Sequence, residues 1–116
     1  MSHALIIDDN MIVSRAIEIR LALLGFDSFD QAWTEGQAVE AAAFTPPDLV
    51  VVGDSVEQGS AMDAVRRITR ERDVPVLVIT GDRYRAARRL PGDASLSGPY
   101  LLDQIKGALA SANVAC

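Results

Sequence analysis

The apolar residues of this chain gather into short dense runs separated by polar turns. Ala4-Leu5-Ile6-Ile7 and Leu49-Val50-Val51-Val52 are apolar at every position, and each ends in acid: Asp8-Asp9 after the first, Gly53-Asp54 after the second. Continuous runs of this length, bounded by turn or helix-start residues, read as parallel strands buried on both faces. The third strand extends from Asp48 to Val52. Phe26 to Phe29 reads as a second strand, Pro75 to Ile79 as a fourth, and Ala94 to Leu96 as a brief fifth.

Helical patterns fill the gaps. Asn10 can cap a helix whose apolar residues Ile12, Ala16, Ile19 and Leu23 recur at helical spacing, with Gly25 as its stop. Thr34-x-x-Gln37 is a capping box that opens a helix through Phe44, and Pro46-Pro47 ends it. Ser60-x-x-Asp63 opens another, with Met62, Val65 and Ile68 as its inner face. From Asp82 a short basic helix runs to Leu90 and breaks at Pro91-Gly92. A last helix presents Leu101, Leu102, Ile105 and Leu109 on one side. This alternation predicts an α/β fold, a doubly wound (βα)5 parallel sheet. Acids at the C-terminal ends of its strands collect where such sheets bind ligands, so Asp8, Asp9 and Asp54 are expected at one edge.

A length of 116 residues at 49% hydrophobic suits one compact domain, so the expectation is a single domain over 1–116 without an effector domain. No apolar stretch approaches the roughly 20 residues of a membrane helix, and no leader pattern is present; a soluble, cytoplasmic protein is expected. Cys116 is the only cysteine, which excludes an intrachain disulfide and a multi-cysteine metal site. His3 is equally alone and reads as a strand-edge residue.

The net charge of −5 hides an asymmetry. Residues 66–89 hold eight arginines against Glu71, Asp73 and Asp82, a net +5, while the rest of the chain sets Arg15, Arg20 and Lys106 against thirteen acids, a net −10. Arg66, Arg67, Arg70, Arg83, Arg85, Arg88 and Arg89 are therefore candidates for a positive face that meets an acidic partner or a second copy in a homodimer. The plain alternative is a solvated surface. An acidic chain without a basic recognition element argues against nucleic-acid binding.

The chemistry follows from the strand ends. Neighbouring carboxylates such as Asp8 and Asp9 are hard to ionise together without a cation, and Mg²⁺ suits one or two carboxylates because it keeps several waters. Either residue could instead cap the first helix. Gly53 carries no side chain, yet its freedom permits a bulge that turns Asp54 into the pocket; without one, Asp54 faces solvent. No glycine-rich phosphate loop, nucleophile elbow or metal-spaced histidine cluster is present.

Asp8-Asp9-Asn10 before a helix, Pro47-Asp48-Leu49-Val50-Val51-Val52, Thr80 after the fourth strand, and Pro99-Tyr100 ahead of the last helix together resemble the response-regulator receiver domain across the whole chain. The resemblance implies a flavodoxin-like sheet of order 2-1-3-4-5 and a role in two-component phosphorelay signalling, with a histidine kinase or other signalling protein as partner. It also implies Mg²⁺ at the acidic pair, a phosphoryl-accepting Asp at the end of the third strand, a switch hydroxyl at Thr80 and a Lys before the last Pro. Here the acceptor position falls on Gly53, the Lys position on Gly98, and the aromatic that cooperates with the switch falls on Ser95. Thr80-Gly81 is similar to the Thr-Gly-Tyr of short general-stress receivers, with Asp82 in place of the Tyr. The expected function is thus an atypical receiver, phosphorylation-independent or weakly phosphorylated, and not an enzyme beyond self-phosphorylation and dephosphorylation. The alternative is an Mg²⁺-dependent regulator phosphorylated on Asp54.

Overall fold

The computed structural model describes residues 2–87 and 96–111. Along the chain it places β1 (His3–Ile7), α1 (Met11–Leu23), β2 (Ser28–Ala32), α2 (Glu35–Phe44), β3 (Leu49–Val52), α3 (Ala61–Glu71), β4 (Val76–Ile79), α4 (Arg83–Ala87), β5 (Leu96–Tyr100) and α5 (Ile105–Ser111). One 3₁₀ turn at Leu102–Gln104 leads into α5. All strand pairs are parallel, in the order β2-β1-β3-β4-β5. This is the doubly wound sheet that the alternation of elements predicts, in the expected strand order.

The three inner strands are buried because helices cover both faces. Ala4, Ile6, Leu49, Val51, Leu77 and Ile79 pack under α1 and α5. Leu5, Ile7, Val50, Val52 and Val76 pack under α2 and α3. Alternate residues of one strand thus feed two cores, which is why each run is apolar throughout. Register aligns Ile7 with Val52, bringing the ends of β1 and β3 side by side. Among the described residues no helix is long and apolar enough to cross a membrane.

The inner face of α1 differs from the expected one. Ser14, Ile17 and Leu21 are buried, flanked by Val13 and Leu24, whereas Ile12 is 83% exposed and Leu23 81%. Apolar residues occupy nearly every side of this helix, so spacing alone cannot choose its inner face. The phase is set by bonds at the N-terminus of the helix: Asn10 caps the amides of Ile12 and Val13, and the Ser14 hydroxyl donates to the carbonyl of Asp8. Ile12, Ile19 and Leu23 are left as an outward apolar stripe.

Two strands are displaced from their expected places. β2 begins at Ser28 rather than Phe26 because the chain is still closing α1: Gly25 adopts φ +110°, and the Phe26 amide donates back to the carbonyl of Leu21. β5 runs on through Gly98, Pro99 and Tyr100, so Pro99-Tyr100 ends a strand and does not open the last helix. Pro99 is tolerated because β5, among the described residues, is an edge strand paired only with β4. The basic helix is described as far as Ala87; Arg88, Arg89, the Pro91-Gly92 break, Ala94, Ser95 and Cys116 lie outside the described residues.

His3 is a structural member of the sheet. It is 7% exposed, with Nδ1 2.7 Å from the Ser28 hydroxyl and Nε2 3.0 Å from Oδ2 of Asp30. Both ring nitrogens are satisfied by β2, directly across the β1–β2 pairing.

Candidate functional site

The acidic edge assembles where β1, β3 and β4 end. Asp8 is 3% exposed, and its Oδ1 accepts the amide of Asn10 at 2.9 Å. The amide of Asp54 also donates to this carboxylate. Oδ2 of Asp8 turns across the end of β3 into the space that a side chain on residue 53 would need: a Cβ on Gly53 would lie 1.7 Å from it. Gly53 is thus the cradle of the Asp8 carboxylate. Burial raises the affinity of Asp8 for its proton above the usual carboxylate range, the Asn10 amide opposes this, and the charges of Asp9 and Asp54 add to it.

Asp9 is the open member of the pair. It is exposed, one oxygen accepts the Ser55 hydroxyl at 2.8 Å, and its amide donates to the Ser55 carbonyl at 3.1 Å. Among the described residues no group of three or more His, Cys, Asp or Glu side chains converges as a metal site. The donor set therefore offers a cation one accessible carboxylate, Asp9, beside one already held by amides, Asp8. Such a set fits a weakly held hard cation with much of its water retained.

Asp54 crosses to the neighbouring strand. Its Oδ2 accepts the amide of Gly81 at 3.1 Å, which joins the loop after β3 to the loop after β4. Thr80 is 2% exposed; its amide donates to the Tyr100 carbonyl, and its hydroxyl accepts the amide of Asp82 at 3.1 Å. Asp82 in turn accepts the amide of Tyr84 in the first turn of α4. Thr80 is thus a cap for the loop that enters α4. Gly98 sits at φ +124°, where an added Cβ would approach the Val78 carbonyl to 2.6 Å. That position admits only glycine without strain.

The loop between β3 and α3 is held from α2, through a residue that neither charge nor spacing singles out. Glu35 accepts the amide of Ser60 and pairs with Arg67 at 3.0 Å. The Ser60 amide, then the Arg67 guanidinium, hold its carboxyl below the usual range. Backbone bonds from Glu57 to Trp33 and from Glu35 to Gln58 complete the attachment. Beneath this loop a cleft of about 380 Å³ opens beside Gly53, Asp54 and Val78.

The arginines separate into groups. Arg66 pairs with Asp63 on its own helix and Arg67 with Glu35, while Arg70 and Arg83 are exposed; the side chain of Arg85 lies outside the described part. Lys106 is exposed on α5, away from the acidic edge, beside Arg20 and Asp103.

No family model and no curated protein matches the sequence. Solved structures do. The receiver domain of the PhyR response regulator from Erythrobacter litoralis is 30% identical, with 97% of this chain and 89% of that one aligned at a TM-score of 0.75. A PhyR stress response regulator is 32% identical over 97% of this chain and 45% of its own, at a TM-score of 0.74. PhyR from Brucella abortus is 26% identical over 97% and 47%, at 0.75. The chain spans most of the isolated domain and about half of these longer regulators. Sheet order, the acidic edge, Thr80 at the end of β4 and this likeness lead to one assignment: the chain belongs to the response-regulator receiver-domain family.

Proposed function

We propose that this receiver works as a binding module in two-component signalling whose output does not depend on efficient phosphorylation. One observation carries the reading. The place of an acceptor side chain at residue 53 is filled by the carboxylate of Asp8, which is buried, bonded to two amides and poorly exposed to a phosphodonor. The missing ammonium at residue 98 removes the cation that would neutralise a phosphoryl group. A histidine kinase or another signalling protein is the partner class that fits the family. The outward stripe of α1, Ile12, Ile19 and Leu23, offers apolar contact area that starts at the acidic edge and runs along the helix away from it. Mg²⁺ would be held by Asp9, with Asp8 acting in part through water, and would supply charge neutralisation at the acidic edge.

A second reading is supported by the bond from Gly81 to Asp54. That bond turns the Asp54 carboxylate toward the Thr80 end of the sheet, the direction from which a phosphoryl group would be received. Mass spectrometry after treatment with acetyl phosphate and Mg²⁺ separates the two. The binding-module reading expects no adduct of phosphate mass in the wild type. An adduct abolished by Asp54→Asn would establish the second reading and overturn the first.

A further inference from the structure

Phe44, the last residue of α2, is 90% exposed, the greatest exposure of any large apolar residue among those described. Beside it, between α2 and α3, lies an open groove of about 360 Å³ lined by Val39, Ala42, Ala43, Pro46, Pro47 and Ile68. A cavity of about 150 Å³ is enough to hold a benzene ring, so this groove has room for a phenylalanine side chain. At 100° per residue, Phe44 projects from one side of α2 and the groove opens on the other, and both are reached from the outward direction between them.

The two sides differ in charge. Glu40, one turn before Phe44, is exposed and shares its side of the helix, with Asp30 close by. The far rim of the groove carries Arg67 and Arg72 with Glu71. Arg67 is engaged by Glu35, which leaves Arg72 as the cation facing outward. A single patch thus holds an apolar knob with an acidic flank and an apolar hole whose rim presents Arg72.

We propose that a second copy of this chain occupies the groove, through a two-fold dimer in which each Phe44 enters the other copy's groove and each Glu40 meets the other copy's Arg72. An isologous interface requires both complementary features on one patch, and a two-fold axis running along α2 places the knob side of one copy opposite the hole side of the other. The contact centres on two phenyl rings, each worth about 150–250 Å² of burial, so the interface lies at the small end of specific contacts and the dimer is reversible. This pairing is independent of whether the acidic edge accepts a phosphoryl group.

Sedimentation equilibrium across a concentration series, from micromolar to millimolar, tests the proposal on five proteins: wild type, Phe44→Ser, Glu40→Arg, Arg72→Glu, and Glu40→Arg with Arg72→Glu. All substitutions fall on exposed positions, and circular dichroism checks that each variant is folded. The expected result is a concentration-dependent wild-type dimer that Phe44→Ser weakens at least about tenfold, the scale of an interface anchor. Each charge reversal alone weakens it, and the double reversal restores it because the pair reforms with its signs exchanged. A wild type that stays monomeric throughout overturns the proposal. So does a dimer indifferent to Phe44→Ser, which would use another face, or a double reversal no stronger than its singles.

Discussion

Asp8 and Gly53 occupy one space: the carboxylate of the first stands 1.7 Å from where the second would carry a Cβ. Neither can be enlarged without moving the other. Gly53→Ala is therefore expected to destabilise the fold by about 1–3 kcal/mol, the usual cost of overpacking. Asp8→Ala should recover much of that loss in the double variant by emptying the space. Urea unfolding of the four proteins in this cycle measures the coupling, and simple additivity would show that the two side chains do not compete.

Gly98 limits any attempt to rebuild a conventional receiver site. Its φ of +124° and the Val78 carbonyl at 2.6 Å from a would-be Cβ make Gly98→Ala costly by about 1–3 kcal/mol, and Gly98→Lys at least as costly. Gly53→Asp with Gly98→Lys should accordingly give an unstable protein before it gives a fast phosphoacceptor. Thermal unfolding of the single variants tests this; a Gly98→Lys protein as stable as wild type would refute it.

Two carboxylates should impose opposite pH slopes on stability. Burial raises the pKa of Asp8 on folding, so the folded state binds its proton more tightly than the unfolded chain does. Stability from this group is highest below the unfolded pKa and declines as pH rises through the folded value. Glu35 is lowered by Ser60 and Arg67, so its contribution is present above its unfolded pKa and fades as pH falls toward the folded value. Asp8→Asn should raise stability at neutral pH, and Glu35→Gln should reduce the loss on acidification. Denaturation midpoints between acid and neutral pH measure both.

For Mg²⁺, the expected affinity is weak, about millimolar, since a single open carboxylate carries most of the charge. Asp9→Asn should weaken it further in a calorimetric titration. Superimposable curves for the wild type and the variant would remove Asp9 as a ligand.

His3 provides a test of how β1 and β2 are joined. His3→Ala takes a partner from both Ser28 and Asp30 and should cost about 1–3 kcal/mol. Amide exchange in β2 should accelerate more than in β3, because β2 lies outermost in the sheet. Uniform acceleration across the sheet would show that the cluster adds only global stability.

The sheet was legible in the sequence because its strands are buried on both faces, and a run such as Leu49-Val50-Val51-Val52 permits little else. The face of α1 was not, because apolar residues surround that helix and its rotation is set by Ser14 reaching back to the Asp8 carbonyl and by Asn10 capping the amide of Ile12. β5 was misplaced because proline normally argues against a strand, and the exception depends on its being at an edge. At the acidic edge, the glycine at 53 and the acids at 8, 9 and 54 could be read in one dimension. That Asp8 would fill the glycine's space, or that Glu35 would fasten the next loop from 25 residues away, depends on side-chain directions that spacing does not encode.

The two outer strands of the sheet share a further property. Parallel β2 carries Asp30 at its centre, and β5 at the opposite border carries Pro99, which has no amide hydrogen to offer. Charge on one border and a missing donor on the other are the devices by which sheets refuse additional strands from neighbouring molecules. A chain so rich in valine, isoleucine and leucine at its centre is thereby guarded against edge-to-edge aggregation. Replacing Asp30 or Pro99 with a β-branched residue would open a border to amyloid-like growth without touching the acidic edge.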